Sequence, residues 1–222
     1  MNEHHGLVLA AAMWCLLVPG QARAQGLSGR YDVAVGARWT GAMPLGTRDA
    51  TLTTSSGGNV RLFATETELT PVPGVEARVG IRLTRLLRVE ASVTNGTSRL
   101  STRVTSDAEG APAVTVSESL REFTVEGALV AEFLAPSPGR RVTPFVSAGA
   151  GYLSHLHEGR PLVEAGRTYH VGGGLNYLVH AGRSMDIGLR GDARAVIRTG
   201  GVTIAGRVHL APAVGGSLFF RF

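Results

Sequence analysis

Apolar and polar residues alternate along nearly the whole chain. In 31–39, Tyr31, Val33, Val35, Ala37 and Trp39 share one parity, against Asp32, Ala34, Gly36 and Arg38. Successive side chains of a strand point to opposite faces, so such a run reads as a strand with one apolar face. The pattern recurs at 75–83, 87–93, 121–133, 144–153, 169–179 and 185–195, and in the last run, which ends on Leu218, Phe220 and Phe222. About eight strands follow, each near the length that crosses a bilayer when tilted. No long window places apolar residues at i, i+3, i+4 and i+7, so long amphipathic helices are excluded. The 30 glycines and 6% aromatic residues suit a β protein.

The connections predict how these strands are joined. Short turns fall at 84–86, in APSPGRR before Val142, and in AGRS before Met185. Longer polar segments fall between them, at about 43–71, 95–118, 155–168 and 197–206. Strict alternation of short and long connections is the mark of an up-and-down meander with loops at one end. The expected fold is all-β: an eight-stranded antiparallel up-and-down transmembrane β-barrel.

Alternation alone leaves open which face looks outward. Aromatic spacing favours lipid outside. Tyr31 and Trp39 stand eight apart on one face, as do Tyr169 and Tyr177; Phe123 and Phe133 stand ten apart. At about 3.3 Å per residue and a tilt near 40°, eight residues climb roughly 20 Å, close to the ~25 Å apolar band between aromatic girdles. Tyr31, Trp39, Phe123, Phe133, Tyr152, Tyr169, Tyr177 and Phe220 are the expected girdle. The other face carries both charges in mid-strand: Arg78, Arg82, Arg88, Glu90, Glu122, Glu126, Asp186, Arg190, Asp192 and Arg194. A narrow eight-stranded interior holds side chains and little else. Guanidinium forks pair with carboxylates there in planar contacts, so an ion-paired, plugged lumen is expected.

The two ends fit this reading. Residues 7–18, LVLAAAMWCLLV, are apolar but too short to span a bilayer as a helix. Pro19-Gly20 and the small-x-small Ala22-Arg23-Ala24 follow, so 1–24 reads as a secretory signal peptide and 25–222 as the barrel domain. Cleavage would remove Cys15, the one cysteine, and with it any thiolate nucleophile or Cys metal ligand. All 22 basic residues are Arg, which excludes Schiff-base, P-loop-lysine and Ser-Lys chemistry. At the C-terminus, closure on the first strand would place the aromatics of the last strand in the bilayer and leave no edge exposed.

These residues resemble a known family. Gly215-Gly216 followed by Leu218, Phe220 and Phe222 is similar to the C-terminal strand that the outer-membrane barrel assembly machinery recognises. TPFVSAGAGY (143–152) is similar to a stretch common in small eight-stranded outer-membrane barrels. The resemblance is to the OmpA/OmpX-type barrel superfamily, over roughly 27–222. It implies a location in the bacterial outer membrane, with outer-membrane lipid, lipopolysaccharide and the assembly machinery as partners. Pro212 departs from the pattern, because a closed barrel has no free edge for a missing N–H. The spanning part of the last strand is therefore expected to start there, with 202–211 projecting beyond the membrane or bulged.

Candidate chemistry is sparse. His155 and His157 share a strand face and could bind a metal, but a solvated loop pair beside Glu158 is the expectation. Ser154, His155 and Glu158 are neighbours on one strand, a poor arrangement for a triad. His170, His180 and His209 are expected on the polar face. Gly149-Ala150-Gly151 and Gly172-Gly173-Gly174 lack the helix of a nucleotide loop and are expected to relieve crowding. Acids interleave with the bases despite a net charge of +5, so no nucleic-acid stripe appears. The expectation is a monomeric, non-enzymatic barrel with no catalytic residue, cofactor or metal, presenting four surface loops. The alternatives are a narrow pore or small apolar-solute conduit, and a lipid-modifying outer-membrane enzyme.

Overall fold

The computed structural model describes residues 30–222, apart from 56, 106–111, 134–140, 158–162 and 202–207. The expected signal peptide at 1–24 and Glu158 lie outside the described residues.

The described residues form ten strands: β1 Tyr31–Thr40, β2 Met43–Thr53, β3 Asn59–Leu69, β4 Val72–Arg82, β5 Leu87–Thr105, β6 Val114–Glu132, β7 Val142–His157, β8 Val163–Ala181, β9 Asp186–Gly200 and β10 His209–Arg221. Eight of them close a ring, in the order β1, β10, β9, β8, β7, β6, β5, β4 and back to β1, every pair antiparallel. Closure is made by the terminal strand. Val33 pairs with Phe220 and Val35 with Leu218, and the N–H of Phe222 donates to the carbonyl of Tyr31 at 2.8 Å. Both edges of β10 are thereby paired, which satisfies the backbone groups that lipid cannot. The strands are tilted. Following partners from Val35 to Leu218, Leu189, Tyr177 and Val142 leads from the middle of β1 to the rim end of β7.

Orientation follows parity. Val75 is 65% exposed, whereas Arg78 is 4% exposed and faces the lumen. Among the aromatics, Tyr31, Phe133, Tyr177 and Phe220 sit on outward positions near the rim that carries the short turns. Trp39, Phe123, Tyr152 and Tyr169 sit on outward positions near the far ends of the apolar runs.

The long segments differ from the expectation. The stretch 43–71 is a β-hairpin, not a loop: after Gly41-Ala42, β1 leads into β2, which pairs with β3, and β3 pairs with the far half of β5. Most of the described residues of 95–118 and 155–168, and residues 197–200, are likewise strand, and β5 and β6 each run 19 residues. These extensions are rich in Thr, Ser, Val and Arg. They pair through the backbone and β-branched side chains without needing an apolar outer face.

Pro212 lies inside a strand that begins before it. β10 starts at His209 and passes through Pro212 in unbroken register with β9. The carbonyl of Pro212 accepts from the N–H of Gly41 at 2.8 Å, just past the end of β1. A residue's N–H and C=O point to the same neighbour, so the missing donor falls where the β1 ladder has ended. Pro144 follows the same rule. Its carbonyl accepts from Phe133 at 3.1 Å, beyond the end of β6.

Candidate functional site: the lumen and its outer mouth

The lumen holds a connected ion-pair network. Near the short-turn rim, Arg88 reaches Asp32 at 2.9 Å, Glu132 at 3.3 Å and Glu90 at 2.7 Å. Arg82 and Arg221 also converge on Glu132, at 3.0 and 3.8 Å. Glu90 hands the network upward to Arg190 at 2.6 Å. In mid-barrel, Glu76 is shared by Arg38, Arg78 and Arg194. Asp192 takes Arg194 at 2.6 Å and Arg78 at 3.4 Å. Glu126 accepts from Arg38 at 3.0 Å and faces His170 at 3.4 Å. Higher still, as a separate pair, Arg198 holds Glu122 in a two-pronged contact at 2.8 and 2.5 Å. A buried charge costs several kcal/mol unless it is paired and hydrogen-bonded, and this mutual sharing is what makes so charged an interior tenable.

Glycines make room for these contacts. A Cβ on Gly80 would stand 2.4 Å from Asp32 Oδ1, and one on Gly149 would stand 2.5 Å from the His170 ring. Two inward aromatics also join in: the Arg190 guanidinium lies 4.0 Å over the Phe145 ring, and Arg221 lies 5.3 Å over Phe219.

The sequence-derived set is only part of this network. Arg78, Arg82, Arg88, Glu90, Glu122, Glu126, Arg190, Asp192 and Arg194 are brought together. Asp186 is not: it is half-buried at the rim and makes no ion pair among the described residues. Its cross-strand partner Arg221 turns to Glu132 instead. Asp32, Arg38, Glu76, Glu132, Arg198 and Arg221 were missed, although all share the inward parity that marks the others.

The histidines also differ from expectation. His155 and His157 are buried inside the wall, not a solvated pair. His155 Nε2 lies 3.4 Å from Glu122, and His157 Nδ1 lies 2.8 Å from Glu118. Ser154 falls on the opposite, outward parity, so it does not meet His155. His209 is buried in the lumen, whereas His180 is exposed, because a bulge between Leu178 and His180 shifts the parity of β8. Among the described residues, no group of three or more His, Cys, Asp or Glu side chains is arranged to hold a metal ion.

Above the network the lumen turns apolar. Met43 and Leu45 from β2, Leu69 from β3, Leu120 from β6 and Ala211 from β10 form one buried cluster, with Leu100 of β5 against it. Contributed by the β2–β3 hairpin and by strands of the ring, they meet at the mouth. Below this cap, one void is lined by Arg38, Val72, Glu122, Val196 and Arg198, and another by Arg78, Glu90, Ser147, His170 and Arg190. Each measures about 10 Å³, room for about one water.

A closed antiparallel ring with an apolar exterior and an ion-paired interior defines the class of the transmembrane β-barrels. No protein-family model matches the chain, and no curated protein matches it in sequence. Solved structures match it in fold. The outer membrane protein OprG from Pseudomonas aeruginosa aligns with a TM-score of 0.52 at 8% identity, over 87% of this chain and 95% of that one. Neisserial surface protein A aligns with a TM-score of 0.50 at 17% identity, over 87% of this chain and 96% of that one. At these identities the likeness is one of fold. The fold is the eight-stranded up-and-down β-barrel seen in these small outer-membrane proteins.

Proposed function

We propose that this chain is a non-enzymatic bacterial outer-membrane protein. In this reading the closed barrel is a scaffold, and its strand extensions and β2–β3 hairpin form the working surface. The observation that carries the reading is the occupied lumen of the described residues: an ion-paired section under an apolar cap, where two voids among the charged groups measure about 10 Å³ each. A solute path needs a continuous gap, and the buried guanidinium and carboxylate groups occupy the space it would take. The buried His155 and His157, each facing a glutamate, offer no exposed base to a lipid substrate. Export through residues 1–24, recognition of Leu218, Phe220 and Phe222 by the assembly machinery, and a monomeric state belong to the same proposal.

Two measurements test it. Closed membrane barrels resist SDS at room temperature, so the chain in an outer-membrane fraction should migrate faster unboiled than boiled. Recovery from the soluble periplasm with no heat-dependent shift would overturn the membrane reading. In planar bilayers the protein should give no stable conductance steps. Reproducible unitary steps would make it a pore.

A further inference from the structure

We propose that the lumen binds one buried halide ion, chloride in the cell, in the void beside Arg78, Ser147 and Arg190. The site rests on the closed-lumen reading above. The void measures about 10 Å³ and is lined by Arg78 of β4, Glu90 of β5, Ser147 of β7, His170 of β8, and Arg190 and Arg194 of β9. Its size admits a monatomic ion and excludes phosphate, sulfate or a carboxylate group.

The wall of this void is rich in donors. Three guanidiniums line it against one carboxylate, Glu90. The carboxylates that Arg78 and Arg194 meet, Glu76, Glu126 and Asp192, do not line it. Arg88 and Arg190 both meet the same oxygen of Glu90, Oε1, at 2.7 and 2.6 Å. Arg78 is 4% exposed, and its Nε and Nη1 have no hydrogen-bond partner among the described residues. The same holds for the buried Ser147 Oγ, and for Arg190 Nε, which faces Asp192 only at 3.6 Å. Buried donors without acceptors destabilise a fold. A water in the void would accept from some of them, but it would also need acceptors for its own two hydrogens. A halide accepts from every side, and its charge offsets that of the guanidiniums.

The second void supplies the contrast. Arg38 and Arg198 line it against Glu122 and Glu126, so its charges balance. Arg198 Nε is the one buried side-chain atom on its wall without a partner among the described residues. A water suits that void. In the first, the ion joins β4, β7 and β9, which are not neighbours in the ring, and so staples the wall across the lumen.

The test uses the full chain refolded into lipid vesicles in chloride, bromide or gluconate at one ionic strength. The urea unfolding midpoint should rise with chloride or bromide and level off as the site fills. Gluconate, too large for the void, should not substitute. Ser147→Ala should raise the halide concentration at half effect about tenfold. Ser98→Ala removes another buried, unpartnered hydroxyl, one that does not line this void, and should leave that concentration unchanged. Arg78→Gln should abolish the rise. Crystals of protein refolded in bromide should show anomalous bromine scattering within hydrogen-bond reach of Arg78 and Ser147. No bromine signal there, a midpoint indifferent to halide, or an equally strong halide effect in Ser147→Ala would each overturn the ion, with the closed lumen intact. Unitary conductance steps from the wild type would overturn the closed lumen, and the buried ion with it.

Discussion

The middle of the barrel and its outer mouth use the same inward parity for opposite chemistry. In the middle, Arg38, Glu76, Glu126 and Arg194 face in, while Val35, Val79 and Val125 face out. At the mouth, Met43, Leu45, Leu69 and Leu120 face in, while Arg99, Arg121 and Arg167 face out, with Leu156 and Val163 scattered among them. On β6 the inward face runs Thr124, Glu122, Leu120, turning apolar one inward position beyond Phe123. On β7 Leu153 follows Gly151 across Tyr152, with His155 and His157 buried beyond it. The switch therefore begins just beyond the upper aromatics. Whatever surrounds the wall decides which face is apolar: beside lipid the apolar side chains point out, and beside water they collapse inward. The upper aromatics mark the edge of the bilayer on this account.

Substitutions can break or sharpen that contrast. The largest effect is expected at Glu76, whose carboxylate is shared by three guanidiniums. Glu76→Leu leaves buried cations short of a partner and should cost about 3–5 kcal/mol in a urea unfolding titration of the reconstituted protein. Leu120→Ala tests the cap instead. It deletes a fully buried side chain and should cost about 2–5 kcal/mol in the same titration. It should leave the gel shift in place, because the ring below is untouched. A paired outward substitution locates the boundary. Val79→Arg places a charge in mid-strand against lipid and should cost about 2–4 kcal/mol. Val163→Arg, on the same outward face beyond the aromatics, should change stability by less than about 0.5 kcal/mol. Similar costs for the two arginines would erase the distinction between the regions.

The same boundary divides what was legible in the sequence from what was not. Beside lipid, the contrast between faces is extreme, so the eight ring strands and the inward parity of residues such as Arg78 and Glu126 could be read directly. Arg38 and Glu76 stood on that parity too. Their place at the centre of the network depends on which strands face each other across the lumen, and alternation carries no such information. Beyond the aromatics both faces are mixed, and β2, β3 and the far halves of β5 and β6 looked like polar loops. Met43, Leu45 and Leu120 are isolated apolar residues there, and only the ring brings them into one cluster. His155 and His157 were misjudged for the same reason: they lie on strand that continues past the apparent end of the apolar run. Asp186 shows the reverse error, since inward parity at the rim does not bring a partner within reach.

The orientation of the wall is the central claim, and Trp39 reports on it directly. It is 44% exposed on the outward face at the upper edge of the apolar band, and it is the one tryptophan in 25–222. The decisive measurement is quenching of its fluorescence in vesicles of brominated lipids, with the bromines near the headgroup or near the chain end. The account predicts clear quenching, stronger with bromine near the headgroup. Fluorescence unchanged by either lipid would contradict it, because Trp39 would then be shielded from the bilayer and the apolar faces would not meet lipid.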